Sequence, residues 1–353
     1  MNADLSERLR QAVADASGAG TPLKIAGSGS KAFYGRETSG NVLETAGHTG
    51  ILRFEPTELV LTARCGTPLS EIEAVLADHG QMLPFEPPHF GVGATLGGAL
   101  ACGFSGPRRP FAGSARDAML GCRILNGKGD MLSFGGEVMK NVAGFDVSRL
   151  MVGAMGTLGV ILEASLKTLP TPEREVTVCF ECDVEDALDS MNRWCSKPWP
   201  LSGLAYDGGR IRARLSGSER AVDAACRKFG GDVLPEGASF WRDLREQRLE
   251  FFRADGNLWR LSLAPATPVL DLPGMGFYDW GGALRWLKTD APAEAVFRAA
   301  EAAGGHAALF RGRSDDGRVF QPLPDGLKSL HANLKRAFDP KGLFNPGRLY
   351  EDF

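Results

Sequence analysis

Gly91-Val-Gly-Ala-Thr-Leu-Gly-Gly-Ala-Leu-Ala-Cys-Gly-Phe-Ser-Gly-Pro107 holds six glycines, three alanines and no charged side chain, then gives way to Arg108-Arg109 and to Arg116-Asp117. Glycine loses more backbone freedom on folding than any other residue, so a run this rich calls for tight turns or a close approach to the main chain. The stretch reads as a wall against a flat, phosphate-bearing cofactor. With 17 residues and this much glycine it falls short of the roughly 20 predominantly apolar residues that a bilayer span needs. Close packing of a small-residue helix is a second reading, with Thr95 opening a helix whose Gly97, Gly98 and Ala101 admit a neighbour. The two are compatible, because a helix N-terminus also offers N–H groups to an anion.

Upstream, Pro22 to Ala26 has the character of a short strand running into Gly27-Ser-Gly-Ser-Lys31-Ala32, which matches Gly-x-Gly-x-x-Ala. A dinucleotide motif of that form should open a helix. Phe33 to Gly40 carries no helical apolar period, so the motif fails on context. What remains is a loop of small residues whose N–H groups can cradle an anion, with Lys31 adding a charge, or else a plain glycine-serine turn. Downstream, a third small-residue loop, Gly153 to Gly159, leads into Val160 to Leu169, whose alternation has the period of a half-buried strand.

The chain has 353 residues, a prior of about two domains. Forty basic and 43 acidic residues give a net charge of -3 with no long run of one sign, which argues against nucleic acid as a partner. Leu5, Leu9 and Val13, interrupted by Glu7 and Asp15, make the first 20 residues an amphipathic helix without the apolar core of a secretory signal. The expected location is cytoplasmic. Seven cysteines in no regular framework fit a reducing compartment. Cys179 and Cys182 alone have metal-like spacing, in a segment that reads equally as a strand, and no metal site is expected.

Short strands are expected at Asn41 to Glu44, Ile51 to Phe54 and Leu59 to Arg64. A helix follows, with Thr67 as N-cap and Pro68 at its first position; Leu69, Ile72, Val75 and Leu76 form its apolar face and Gly80 ends it. Asn126 to Gly129 turns a hairpin, and Pro170-Thr-Pro172 marks a domain boundary. Beyond it, strand 175–183, helix 185–196, strands 203–206 and 210–215 and a helix from Ser218 to Phe229 make the order of a ferredoxin-like half. A long charged helix from Ser239 to Arg253, a strand to Leu263, a helix from Ala293 and a strand to Arg311 suggest a second, incomplete turn of the theme. Leu327, Leu330, Leu334 and Phe338 form a helical stripe stopped by Asp339-Pro340, and Phe344 to Gly347 reads as a turn that docks the tail.

Three glycine loops spread over 130 residues resemble flavoproteins of the p-cresol methylhydroxylase and vanillyl-alcohol oxidase superfamily. Within it the chain is similar to the FAD-binding E subunits of bacterial glycolate oxidases. The resemblance rests on Leu83 to Gly91, Ala94 to Gly98, Ser105 to Pro110, Arg116-Asp117, Val138 to Leu150, Gly156 to Val160 and Asp339 through Gly347. It implies an α+β fold, with a two-subdomain FAD-binding domain over 1–170 and 328–353 and an inserted ferredoxin-like cap over 171–327. It further implies that Ala26, Gly27, Ser28, Gly29, Ser30 and Lys31, with Gly93, Ala94, Thr95, Gly97 and Gly98, take the FAD pyrophosphate and ribityl chain. Ser105, Gly106, Arg109, Arg116 and Asp117 would continue the cofactor wall, the last two also reading as a surface ion pair, and Gly156, Gly159, Val160 and Ile161 would line the isoalloxazine and adenine side.

Some relatives attach the flavin to a histidine in the first loop; none of His48, His79, His89, His306 or His331 lies there, so noncovalent FAD is expected, with Cys102 a packed helix residue. The implied activity is oxidation of glycolate to glyoxylate, with electrons leaving through FAD to two partners, a sister FAD-binding glycolate oxidase chain of the D type and an iron–sulfur chain of the F type. A non-catalytic assembly or electron-relay subunit and a stand-alone FAD-linked oxidase are the alternatives. Arg285, Arg311 and Arg313 are candidate carboxylate clamps and His306 and His331 candidate bases, none in a motif, so no catalytic residue is assigned. The His-x-x-Gly-Asp-x-Asn-x-His metal-binding segment of relatives that oxidise 2-hydroxy acids is absent from the chain. Attachment to the inner membrane would come only through the complex.

Overall fold

The structure, a computed structural model, describes residues 2–136 and 146–353; residues 138–145 of the Val138 to Leu150 motif lie outside them. The chain divides into two compact units, one of Met1–Ser105, Gly113–Thr171 and Pro322–Phe353, the other of Gly106–Ala112 and Pro172–Gln321.

The first unit begins with the Ser6–Ala19 helix, which ends on Gly20 in the left-handed conformation that glycine adopts without Cβ strain. Its stripe of Leu9, Val13 and Ala16 is buried with Leu23, Leu43, Leu125, Val160, Leu343 and Phe344. Strands β1 (Leu23–Ala26) and β2 (Asn41–Glu44) pair in parallel beside it. β3 (Ile51–Glu55), β4 (Val60–Arg64), β6 (Met119–Leu125), β7 (Met131–Gly135) and β8 (Val160–Lys167) form an antiparallel sheet in the order β3-β4-β8-β6-β7. The small ladder of β5 (Gln81–Met82) and β9 (Leu169–Pro170) flanks it. β8 alternates buried and half-buried residues from Val160 to Glu163, as its sequence period requires.

Two helices pack on this framework. Leu69–Asp78 buries Leu69, Ile72 and Leu76, but Pro68 rather than Thr67 stands at its N-cap position. The Thr67 hydroxyl is engaged elsewhere, accepting the Gly50 N–H at 2.9 Å. The second helix, Leu96–Cys102, buries Leu96, Ala99 and Leu100. Asp325–Phe338 returns to this unit near the end of the chain. Its Lys335 ammonium, buried, donates to the carbonyls of Thr157 at 2.8 Å and Phe344 at 2.7 Å and pairs with Asp339 at 2.8 Å.

The second unit is built on one eight-stranded antiparallel sheet. β10 (Arg174–Glu181), β11 (Leu201–Tyr206), β12 (Arg210–Gly217) and β13 (Asp232–Val233) lie in the order β13-β10-β12-β11, with the Val184–Cys195 and Glu219–Phe229 helices between strands. β14 (Leu258–Ser262), β15 (Met275–Asp279), β16 (Leu284–Lys288) and β17 (His306–Arg311) continue as β15-β16-β14-β17. Numbered within each half, both have the ferredoxin-like order 4-1-3-2, and they meet through their second strands at Tyr206 and Tyr278. The second half has one α-helix, Ala293–Ala302, and no helix between β14 and β15.

One expectation needs correction here, and one element was not expected. The long helix from Ser239 to Arg253 is two helices, Gly237–Arg245 and Glu250–Arg253. Gln247 between them has φ +54, which an L-residue cannot propagate as a right-handed helix. The β15–β16 hairpin is not among the expected elements. Its turn at Trp280–Gly282 has positive φ at all three residues, so its two short strands lie either side of a glycine pair that reads as loop. Gly106–Ala112 groups with this unit because Phe111 packs on the Leu204 and Tyr206 core and the Trp280 indole N–H donates to Gly106 O at 3.0 Å.

Candidate functional site

A groove with about 900 Å³ of empty space, part of it open to solvent, lies in the first unit and is walled largely by glycine and other small residues. The loop after β1 supplies one side: Ala26, Gly27, Ser28, Gly29, Ser30 and Lys31 all line it. Thr95, Gly97 and Gly98 supply a second side, and Gly156, Gly159, Val160 and Ile161 a third. The structure thus brings together 13 of the residues singled out in the sequence, from segments some 130 positions apart.

The two glycine segments are held differently. In the first, Ser28 and Gly29 are exposed, and the main-chain N–H groups of Ser28, Gly29 and Ser30 donate to no acceptor among the described residues. Gly29 has φ +78 with open space where a Cβ would stand. Successive unspent N–H groups along a groove suit an anion. Lys31 follows, buried beneath the loop, with its ammonium on His89 O at 3.1 Å and 5.9 Å above the Phe90 ring. Phe90 in turn packs edge-on against Phe33 and Phe104, a base of aromatic rings that fixes the loop from behind.

In the second segment the donors are already spent. Leu96 N–H donates to Thr67 O at 3.0 Å and Gly97 N–H to Cys65 O at 2.7 Å, while Gly98 N–H reaches the Thr95 hydroxyl at 3.2 Å. The helix start therefore offers the groove none of its first three N–H groups, contrary to the sequence reading. Its glycines serve approach instead. A Cβ on Gly97 would stand 2.9 Å from Cys65 Cβ and O, and one on Gly27 would stand 2.7 Å from the Thr95 hydroxyl.

Seven expected residues are not on the groove wall. Gly93 and Ala94 precede the second segment, Gly93 lying nearest Ser28. The Ser105 hydroxyl accepts Ala115 N–H at 3.0 Å, Arg116 donates to Val152 O at 3.2 Å, and Asp117 closes a capping box on Ser114. Gly106 and Arg109 belong to the second unit, where the Arg109 guanidinium lies 4.2 Å from the Trp280 ring centre. Conversely, Ile25, Met155, Asn345 and Arg348 line the groove unforeseen. The Phe344 to Gly347 turn reads in the sequence only as a docking device; a polar Asn in that apolar setting is the available signal.

Cys102 also lines the groove, so it is more than a packed helix residue. Burial pushes its thiol pKa up to about 11, which keeps it protonated and a poor nucleophile near neutral pH. The candidate clamps and bases fare unevenly. Arg285 is buried and donates to the carbonyls of Gly282, Pro268 and Thr267, which marks it as structural. Arg311 reaches Gln247 at 3.3 Å and Arg313 N–H donates to Asn257 at 2.9 Å. His331 packs against the rings of Tyr350 and Phe353. The pKa of His306 is lowered by local burial and by the charges of Arg260 and Arg109. Among the described residues no group of three or more His, Cys, Asp or Glu is placed to hold a metal ion, and no helix is long and apolar enough to cross a membrane.

Comparison with known proteins agrees with this architecture. Residues 3–135 match the FAD binding domain family. The chain is 50% identical to glycolate oxidase subunit GlcE of Escherichia coli (strain K12) over 348 residues, 99% of this chain and 97% of that one. Glycolate oxidase subunit GlcD of Bacillus subtilis (strain 168) is 31% identical over 159 residues, 44% of this chain and 34% of its own length. In three dimensions the chain is similar to p-cresol methylhydroxylase, with a TM-score of 0.75 at 15% identity over 100% of this chain and 88% of that one, a likeness of fold alone. An identity of one half sustained over nearly both full lengths settles the matter of kinship: the chain belongs to the family of FAD-binding glycolate oxidase E subunits.

Proposed function

We propose that this chain is the E-type subunit of a glycolate-oxidising complex, with FAD held noncovalently in the groove of the first unit. The observation that carries the reading is the row of unspent N–H groups at Ser28, Gly29 and Ser30, set between small-residue walls that let a flat ligand lie against main chain. Each hydrogen bond to a charged phosphate oxygen contributes about 1.5–3 kcal/mol, so three hold a pyrophosphate without a metal ion. Gly97 and Gly98 belong to the facing wall, and Gly156 to Ile161 serve the isoalloxazine and adenine side. Bound FAD would supply the hydride-accepting chemistry. Residues 1–170 and 328–353 act as one FAD-binding domain, with Ser105, Arg116 and Asp117 beside the groove wall.

The assembly includes a sister FAD-binding chain of the D type and an iron–sulfur chain of the F type, and the complex works in the cytoplasm, at the inner membrane if its partners attach there. The capture of Arg285 by three main-chain carbonyls removes one candidate for the substrate carboxylate and favours a partner chain as the holder of glycolate. The test is purification of the chain alone and with its co-purifying partners, recording the flavin spectrum and its bleaching by glycolate. A yellow chain that glycolate bleaches slowly alone and fast in the complex supports the proposal. A colourless chain that takes up no added FAD overturns the cofactor assignment, and bleaching of the lone chain as fast as the complex overturns the division of labour.

A further inference from the structure

We infer that the Asn345–Arg348 segment is a clamp that sets the geometry of the FAD groove, so that docking of this segment and binding of FAD support each other. The inference rests on the cofactor reading above. Asn345 is 320 positions from Ile25 in the chain, yet its Oδ1 accepts the Ile25 N–H at 2.8 Å and its Nδ2 donates to Met155 O at 2.7 Å. A main-chain N–H can only donate and a carbonyl can only accept, so the amide orientation is determined and a carboxylate could not serve both partners. One side chain thus ties the strand that enters the 26–31 loop to the loop that carries Gly156. The site is built around it. Asn345 has φ +41, a left-handed conformation that Asn tolerates better than most residues, and a Cβ on Gly156 would stand 2.7 Å from its Nδ2.

Arg348 holds the other end of the same loop. Its guanidinium donates to the carbonyls of Ala32 at 3.3 Å, Arg36 at 3.0 Å and Tyr34. Both side chains line the groove, and the buried Lys335 anchors Phe344 O just before them. The unspent donors of Ser28 to Ser30 therefore sit between two points of attachment, one at Ile25 and one at Ala32 to Arg36. Releasing either lets the donors diverge. By linkage, an anion that fixes those donors must favour the docked segment by the same factor.

The experiment uses the full chain and three variants: Asn345→Asp, Arg348→Ala, and Lys341→Ala as a control whose ammonium reaches Ser17 O outside the groove. FAD affinity is read from quenching of flavin fluorescence, and hydrogen exchange of residues 343–350 is read with and without FAD. We expect both groove variants to bind FAD roughly 5- to 150-fold more weakly, with the control unchanged. In the unsubstituted chain, FAD should slow exchange in 343–350 by more than in β3 and β4. Should the variants fail to fold, the exchange measurement on the unsubstituted chain decides alone. Equal FAD affinity in all variants, or exchange of 343–350 that ignores FAD, overturns the clamp while leaving the cofactor reading intact. Failure of the unsubstituted chain to bind FAD overturns both.

Discussion

The 27–31 loop and the 95–98 helix start look alike in composition, and both line the groove, but glycine does different work in each. In the first, Gly29 takes a positive φ and faces open space, leaving its neighbours' N–H groups unspent. In the second, Gly97 is pressed on Cys65 and every early N–H is consumed by the protein itself. A glycine can thus be kept for what it lets a ligand do or for what it lets the fold do. Composition does not separate the two cases; the destination of the neighbouring hydrogen bonds does.

Substitution separates them most sharply. Gly97→Val places a branched side chain against Cys65 main chain, an overpacking that costs on the order of 3 kcal/mol. We expect loss of soluble protein or a large drop in Tm, with or without FAD, and a variant as stable as the unsubstituted chain would erase the distinction. Gly29→Val should leave a folded chain, because nothing stands within 4 Å of its Cβ position, at a conformational cost of about 1–2 kcal/mol. Its deficit should appear as reduced FAD content on purification. Full FAD content in that variant would move the anion site elsewhere.

A third effect concerns how the cofactor is held. With Cys102 protonated and no histidine among the described residues of the groove wall, acid precipitation should release the flavin into the supernatant, and Cys102→Ser should retain its FAD content. Yellow colour remaining with the pellet would instead mean a covalent bond.

The smallest effect lies behind the packed segment, where Gly66 N–H donates to His48 O at 2.9 Å. His48 is buried, its Nδ1 accepts Leu5 N–H at 3.0 Å, and burial lowers its pKa below the ordinary value. A group whose pKa is lower folded than unfolded binds more protons in the unfolded chain over the interval between the two values. Its contribution is therefore complete above the unfolded pKa of about 6.5 and is lost as pH falls below it. Tm should fall between pH 7 and pH 5, in part through this group, and His48→Gln should flatten that slope. An identical slope in the variant would remove His48 as its cause; Asp4, whose pKa is held well below the usual range chiefly by the Ser6 N–H and hydroxyl, loses its contribution only below the unfolded carboxylate value of about 3.9.

Local chemistry made much of this molecule legible beforehand. The three small-residue loops, the alternating β8, the stripe of the first helix and the first ferredoxin-like half all depend on contacts within a few residues or on periodicity, which a sequence displays directly. The β15–β16 hairpin and the break at Gln247 were not legible, since each turns on backbone conformations that neighbouring packing enforces. The sequence by itself determined that the chain carries three small-residue loops and which segments supply them. Tertiary structure decided which N–H groups remain unspent, because a donor's partner can sit anywhere in the chain. It also decided that Asn345 and Arg348 complete the groove, because a hydrogen bond across some 320 positions leaves no local pattern to read.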